Sequence, residues 1–313
     1  MLQYIKLQNY GVAMEQHAPF SGLALVNKEN GMTSQTVVTR LKRLLGVDKA
    51  GHTGTLDPMA EGVLPVLVGR AVKASEFLLT GDKHYSAVLL LGTETDTEDV
   101  TGRVLATSDT IPDEARVRAV CASFVGQVMQ VPPMYSAIRV GGRRLMELAR
   151  EGKTVEREAR PVTVFSLAVT RLTERTYRLD VVCSKGTYIR TLCADIGRAL
   201  GCGGCMQALC RTEAAGYPIR RAHTLAEWEG MSEAERRAAI IPVEELFADC
   251  AAVLLPPFFA RLAHNGLPIY LKKIGCTYPL GTRLRLLDDR GFFAVGEVRE
   301  EEEGVAVRPI RQF

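Results

Sequence analysis

Gly51-His52-Thr53-Gly54-Thr55-Leu56-Asp57-Pro58 is the stretch on which the reading of this chain turns. Gly51, Gly54 and Gly62 let the backbone take tight paths and approach a ligand closely, and Pro58 stiffens the chain straight after the acid. A carboxylate held in such a loop can act as a nucleophile when a partner keeps it ionised and aimed. An Asp-Pro pair is equally an ordinary turn signal, and a lone histidine such as His52 an ordinary polar surface residue. The stretch alone leaves both readings open. Punctuated by glycine and proline throughout, segment 51–70 reads as a passage that no regular helix or strand spans.

Upstream, residues 1–20 read as a loosely attached leader, and Leu23 to Asn27 as a short strand. A helix is predicted from Ser34, whose hydroxyl can cap free amides, with an apolar stripe of Val37, Val38, Leu41, Leu44 and Leu45 and a stop at Gly46. Downstream come a helix over Ala71 to Leu79, an apolar strand over Tyr85 to Leu91, an acidic loop with Asp96, Glu98 and Asp99, and a helix over Asp113 to Phe124. Strands resume at 162–170 and at Tyr177 to Cys183, where one face alternates with the other. A helix over Thr187 to Leu200 stops at Gly201, residues 223–248 read as helical, and the last sixty or so residues as a small all-β unit with strands near 283–287 and 292–298. The fold class expected is α+β, with domains over 21–250 and 251–313.

Segment 126–160 is the most basic part of the chain. It carries Arg139, Arg143, Arg144, Arg150, Lys153, Arg157 and Arg160 against four glutamates, and its turn residues suggest an element that protrudes. A solvated face explains the charge as well as an RNA contact does. The 313 residues carry a formal net charge of +3, too weak by itself to establish a nucleic-acid partner. With 47% hydrophobic and 24% charged residues the composition is that of a globular protein with a sizeable core. No apolar run reaches membrane-span length, and the N-terminus lacks a signal-type layout, so a cytoplasmic protein is expected. Eight cysteines stand mostly in apolar contexts and read as small buried hydrophobes. Cys202, Cys205 and Cys210 lack a second ligand pair at zinc-type spacing, so no metal is assigned.

Two further segments could carry chemistry. Lys185-Gly186-Thr187-Tyr188-Ile189-Arg190 joins an alternating strand to a helix, and Arg190 could pair with an aspartate or merely cap a surface carboxylate. Asp82-Lys83-His84-Tyr85 opens a strand, where Tyr85 could stack on a base or simply fill the core.

Taken together, these segments resemble those of the bacterial tRNA pseudouridine-55 synthases, the TruB family, in order and spacing. Gly31-Met32-Thr33-Ser34, Val131-Pro132-Pro133-Met134-Tyr135-Ser136-Ala137 and Leu209-Cys210-Arg211-Thr212 extend the similarity over about residues 22 to 216. The C-terminal unit resembles the family's PUA-type RNA-binding domain. The resemblance implies a pseudouridine-synthase catalytic domain on a mixed, mostly antiparallel sheet and a small β-rich PUA-like C-terminal domain. It implies isomerisation of uridine 55 in the T-loop of tRNA by base flipping, on the T-stem-loop as substrate, by a monomer with no obligatory protein partner. Asp57 would be the nucleophile, Arg190 its partner, and Tyr85 would stack on the uracil and assist proton removal. Tyr188 and Leu209 would wall the pocket and His52 fill the space left by the base, with Lys73 and Asp96 near the site. Arg143 and Arg144 would meet RNA. The sequence departs from the family's Lys-Pro-x-Gly turn at Lys28-Glu29-Asn30-Gly31.

No G-x-G-x-x-G, Walker loop or zinc cluster is found, and the reaction involves no net redox change, so no cofactor is expected. Two rival readings are a synthase that depends on a guide RNA and an RNA-binding or RNA-folding module without catalysis.

Overall fold

A computed structural model describes residues 20–78 and 81–313 of the chain. Of the expected leader only Phe20 is described, and Leu79 also lies outside the described residues.

The first sheet starts with β1 (Gly22–Lys28), buried along nearly its whole length. α1 (Ser34–Leu44) follows and buries Val37, Val38 and Leu41. Its cap is Thr33 rather than Ser34: the Thr33 hydroxyl accepts from the Thr36 amide at 3.0 Å, and Ser34 already lies inside the helix with its side chain committed elsewhere. The short β2 (Ala50–His52) then lies along the end of β3 (Glu61–Val68).

β3 is a correction to the sequence reading, because segment 51–70 does contain a strand. Seven of its eight residues are buried, so it lacks the apolar–polar alternation that betrays a half-exposed strand. Pro65 is tolerated because N–H and C=O of one strand residue point the same way. The Pro65 carbonyl accepts from Thr53 N at 3.1 Å, on the side away from β1, so the β1 ladder needs no amide from it.

The helix expected over Ala71 to Leu79 is a 3-10 helix (Gly69–Ala74) running into the single turn of α2 (Ser75–Leu78). β4 (Lys83–Leu91) shows strict alternation, burying Tyr85, Ala87, Leu89 and Leu91. The acidic loop is the tip of a hairpin between β5 (Thr93–Thr95) and β6 (Val104–Thr107). α3 (Glu114–Ala122), capped by Asp113, leads to β7 (Gly126–Gln130). The basic segment therefore begins inside the main sheet, since β7 pairs with β10 (Arg160–Arg171). Between them lie a small hairpin, β8 (Arg139–Val140) with β9 (Arg143–Arg144), and α4 (Leu145–Arg150). β11 (Thr176–Cys183) is followed by α5 (Ile189–Leu200), which closes at Gly201 in the left-handed region, φ 78°.

β12 (Gly204–Ala214) and the two-residue β13 (Tyr217–Pro218) complete the sheet. Its order is β1-β3-β12-β4-β11-β10-β7, with β2 and β13 on the margins. Only β12 with β3 is parallel, so the sheet is mixed and mostly antiparallel as expected. β12 was not foreseen, and its sequence reads instead as a cysteine cluster. Cys205 and Cys210 are strand residues, Cys202 and Cys205 are buried, and all eight cysteines are free thiols.

α6 (Leu225–Gly230), α7 (Glu233–Ala239) and a 3-10 turn (Val243–Phe247) break the helical stretch expected over 223–248 into three. The C-terminal sheet has the order β14 (Ala251–Leu254), β16 (Arg283–Asp288), β17 (Gly291–Glu301), β18 (Gly304–Gln312) and β15 (Ile269–Tyr270). It is not all-β, because α8 (Pro257–His264) packs Ala260 and Ala263 into its core. Two cores sandwich the large sheet. On one face Val38, Leu41, Leu89, Leu192 and Ile196 pack between strands and helices; on the other, Leu23, Leu25 and Leu67 meet Phe247 and Val295. The second cluster joins the two sheets. Among the described residues no helix is long and apolar enough to cross a membrane.

Candidate active site

Asp57 is fixed by its neighbours' backbone. The Ser34 hydroxyl accepts from Leu56 N at 2.8 Å and donates to Leu56 O at 2.9 Å. Gly31 N donates to Pro58 O at 2.8 Å, and the Lys28 ammonium donates to the same carbonyl at 3.1 Å. Gly31 holds φ 86°, a conformation that glycine adopts without strain. Lys28 is fully buried and also donates to Met32 O at 2.7 Å and Glu29 O at 3.0 Å, so its three donors hold the turn that the missing proline would stiffen. Burial pushes the Lys28 ammonium down to about 8, against the pull of Asp57 and Glu61.

Arg190 reaches this loop from the first turn of α5. Its Nε lies 2.8 Å from Asp57 Oδ2, and its Nη2 donates to Asp57 Oδ1 at 3.3 Å. The pair is two-pronged, the geometry that orients a carboxylate best. Arg190 is 5% exposed and is aimed by two carbonyls, Thr97 O at 3.0 Å and Tyr135 O at 2.8 Å. The start of α5 is anchored in turn by Gln130, whose Oε1 accepts from Tyr188 N at 2.8 Å and whose Nε2 donates to Tyr188 O at 3.0 Å. The Asp57 side chain keeps 33% of its surface exposed. Burial raises the Asp57 carboxyl above the ordinary aspartate value; Arg190 opposes that rise and Asp99 adds to it.

Asp99, not Asp96, is the acid of the β5–β6 loop that faces this pair. Its Oδ2 lies 3.8 Å from Arg190 Nε, while Oδ1 accepts from Thr101 N at 2.9 Å and the Thr97 hydroxyl at 2.8 Å. Asp96 instead accepts from Arg103 N at 2.8 Å, tying off the hairpin. Lys73 is also turned elsewhere: the 3-10 helix buries Ala71 and Ala74, and Lys73 Nζ donates to Gln312 O at 3.0 Å in β18. Arg143 and Arg144 are exposed on β9, with Arg143 paired to Glu151. The structure does not bring these two arginines to Asp57.

Tyr85 and Leu209, each 8% exposed, sit on adjacent strands, with Arg211 opposite Tyr85 and Leu209 opposite Ala87. Burial raises the Tyr85 hydroxyl, with Arg211 opposing, and burial also raises that of Tyr188. The charge of Asp57 adds to both shifts. His52 is half-buried on β2 with Nδ1 unpartnered, and burial together with Arg211 lowers its affinity for a proton. The unforeseen members of the site are thus Lys28, Ser34, Asp99, Gln130 and Arg211. Among the described residues no cluster of three or more His, Cys, Asp or Glu could hold a metal ion.

Residues 42–189 match the N-terminal domain of the TruB family pseudouridylate synthases, and residues 190–248 match the C-terminal domain of tRNA pseudouridylate synthase B. The tRNA pseudouridine synthase B of Alkaliphilus oremlandii is 39% identical over 284 residues, covering 90% of this chain and 94% of that protein. The chain belongs to the TruB family of pseudouridine synthases. The tRNA pseudouridine synthase B of Francisella tularensis subsp. novicida is 40% identical over 280 residues, covering 88% of this chain and 91% of its own length. Among solved structures, a chain of a Cbf5–Nop10–Gar1 complex superposes with TM-score 0.67 at 25% identity, over 93% of this chain and 84% of that one. An H/ACA RNP bound to a substrate RNA containing 2′-deoxyuridine gives TM-score 0.66 at 24% identity, over 93% and 84%. These likenesses establish the pseudouridine-synthase fold for this TruB-family chain, and its C-terminal sheet, curled into a half-barrel, is PUA-like.

Proposed function

We propose that this TruB-family chain isomerises uridine 55 in the T-loop of tRNA to pseudouridine, as a monomer that needs neither guide RNA nor protein partner. The relatives named tRNA pseudouridine synthase B match it over about nine-tenths of its length, and their name supplies the substrate. The observation that carries the chemistry is the two-pronged Asp57–Arg190 pair, joined across 133 residues with the Asp57 side chain still partly exposed.

In this reading Asp57 is the nucleophile that opens the glycosidic bond or adds to the base. Hydrolytic glycosidases need a second carboxylate to activate water. Here the uracil is retained, turned and rejoined through carbon, so one carboxylate suffices. Tyr85 stacks on the uracil and assists removal of its proton, while Tyr188 and Leu209 wall the pocket. Extruding the uridine costs a few kcal/mol, which the uncharged His52 ring offsets by filling the gap. Arg143, Arg144 and the unit 251–313 grip phosphates outside the pocket. Lys73 and Asp96, tied to Gln312 O and Arg103 N, are given no step in this reading.

The likeness of the fold to chains of Cbf5 complexes keeps one second reading in view, dependence on a guide RNA. Incubating the purified chain with transcribed tRNA and mapping pseudouridine nucleotide by nucleotide separates the two. Conversion at uridine 55 with nothing added is expected. Conversion only with added guide RNA or protein, or at a different uridine, contradicts the proposal.

A further inference from the structure

Arg211 is 1% exposed, and among the described residues it forms no ion pair with a carboxylate. Its guanidinium is held by carbonyls instead. Nε donates to Val63 O at 2.9 Å and Nη2 donates to Gly54 O at 3.1 Å. Those two carbonyls lie on either side of Asp57 in sequence, so one planar group ties together the two ends of the loop that carries the nucleophile. The fit is close. A Cβ on Gly62 would stand 2.2 Å from Arg211 O, and one on Gly54 would stand 3.5 Å from Arg211 Nη1. Gly62, on the far side of Asp57, is thus what lets β12 come this near, while the Gly54 contact is an ordinary one.

The same residue faces Tyr85. In the β12–β4 register Arg211 stands opposite Tyr85, two positions along from Leu209. The charge of Arg211 works against the burial that raises the tyrosine hydroxyl. The other groups bearing on that hydroxyl, Cys183 and Asp57, act in the opposite sense. Arg211 also disfavours protonation of Lys28, His52 and Lys83, so it stands as a fixed cation on this wall of the site.

We propose that Arg211 is a positioning residue of the reaction, coupling the Asp57 loop to Tyr85 through a single buried guanidinium. A lysine cannot replace it fully, because one ammonium lacks the planar fork that spans both carbonyls. The proposal rests on the reading of Asp57 and Tyr85 given above.

The test compares wild type with Arg211→Met, Arg211→Lys, Tyr85→Phe and the Arg211→Met/Tyr85→Phe double variant. Conversion is followed in single turnover as release of tritium from C5-labelled uridine in transcribed tRNA. tRNA affinity and circular dichroism are recorded for each variant. Arg211→Met is expected to slow conversion by about 100-fold, the scale of a slightly misplaced reacting group, with tRNA affinity within about threefold. Arg211→Lys is expected to recover part of the rate. In the Tyr85→Phe background, losing Arg211 is expected to cost far less than in wild type, because the partner it acts through is already altered. A folded Arg211→Lys at the full wild-type rate overturns the proposal, and so does an undiminished cost of Arg211→Met in the Tyr85→Phe background. Failure of the wild type to convert tRNA indicts the reading of the reaction; loss confined to the variants supports the role of Arg211.

Discussion

At the scale of single residues the site is a contest over one carboxylate. Burial and the nearby Asp99 raise the Asp57 carboxyl, while Arg190 pulls it back. A nucleophile must be ionised, so activity grows with pH as the group loses its proton. The acid limb of the single-turnover rate is therefore expected above the ordinary aspartate value of 3.8. A rate that stays flat down to that value, with the chain still folded, contradicts this account. Asp57 and Arg190 stand out locally as candidates, an acid in a glycine-framed loop and an arginine at a helix start, but only the resemblance to the TruB family joins them, because nothing local relates residues 133 positions apart. Asp99 and Arg211 do not. Asp99 is one of three acids in the same loop, and nothing local says which will face Arg190 once the hairpin closes. Arg211 becomes special only when β12 is laid beside β3 and β4, a pairing that the linear pattern does not contain.

At the scale of elements, the strands and helices with clean periodicity were legible, and β4, β11, α1 and α5 lie close to their predicted spans. β3 and β12 were missed for different reasons. β3 is buried on both faces and so loses its alternation, whereas β12 carries irregularities at Met206/Ala208 and Arg211/Glu213 that reset the period of two. From sequence Ser34 reads as a cap, because a hydroxyl at a helix start usually is one. Here it locks Leu56, and through it Asp57, to α1. Ser34→Ala leaves a buried amide and carbonyl without their partner, a loss of about 1–3 kcal/mol in unfolding free energy. Urea denaturation checks this, and a variant as stable as wild type shows that the hydroxyl does not hold the loop.

At the scale of the whole molecule, the chain is a large mixed sheet whose helical face builds the Asp57 site and whose opposite face shares a core with the PUA-like sheet. That shared core, with Phe247 among Phe77, Phe292 and Phe313, was illegible because its members come from distant segments that each look like ordinary core. It packs the large sheet and the PUA-like sheet together into one body. The central claim is nevertheless narrow: a single carboxylate, aimed by Arg190, does the isomerisation. The most direct test replaces Asp57 with asparagine, keeping shape and removing the charge. Pseudouridine formation on transcribed tRNA and tRNA binding are then measured side by side. Abolished conversion with binding held within about threefold is the expected result, since the lost interaction belongs to the reaction and not to the ground state. Conversion by the asparagine variant at the wild-type rate contradicts the account.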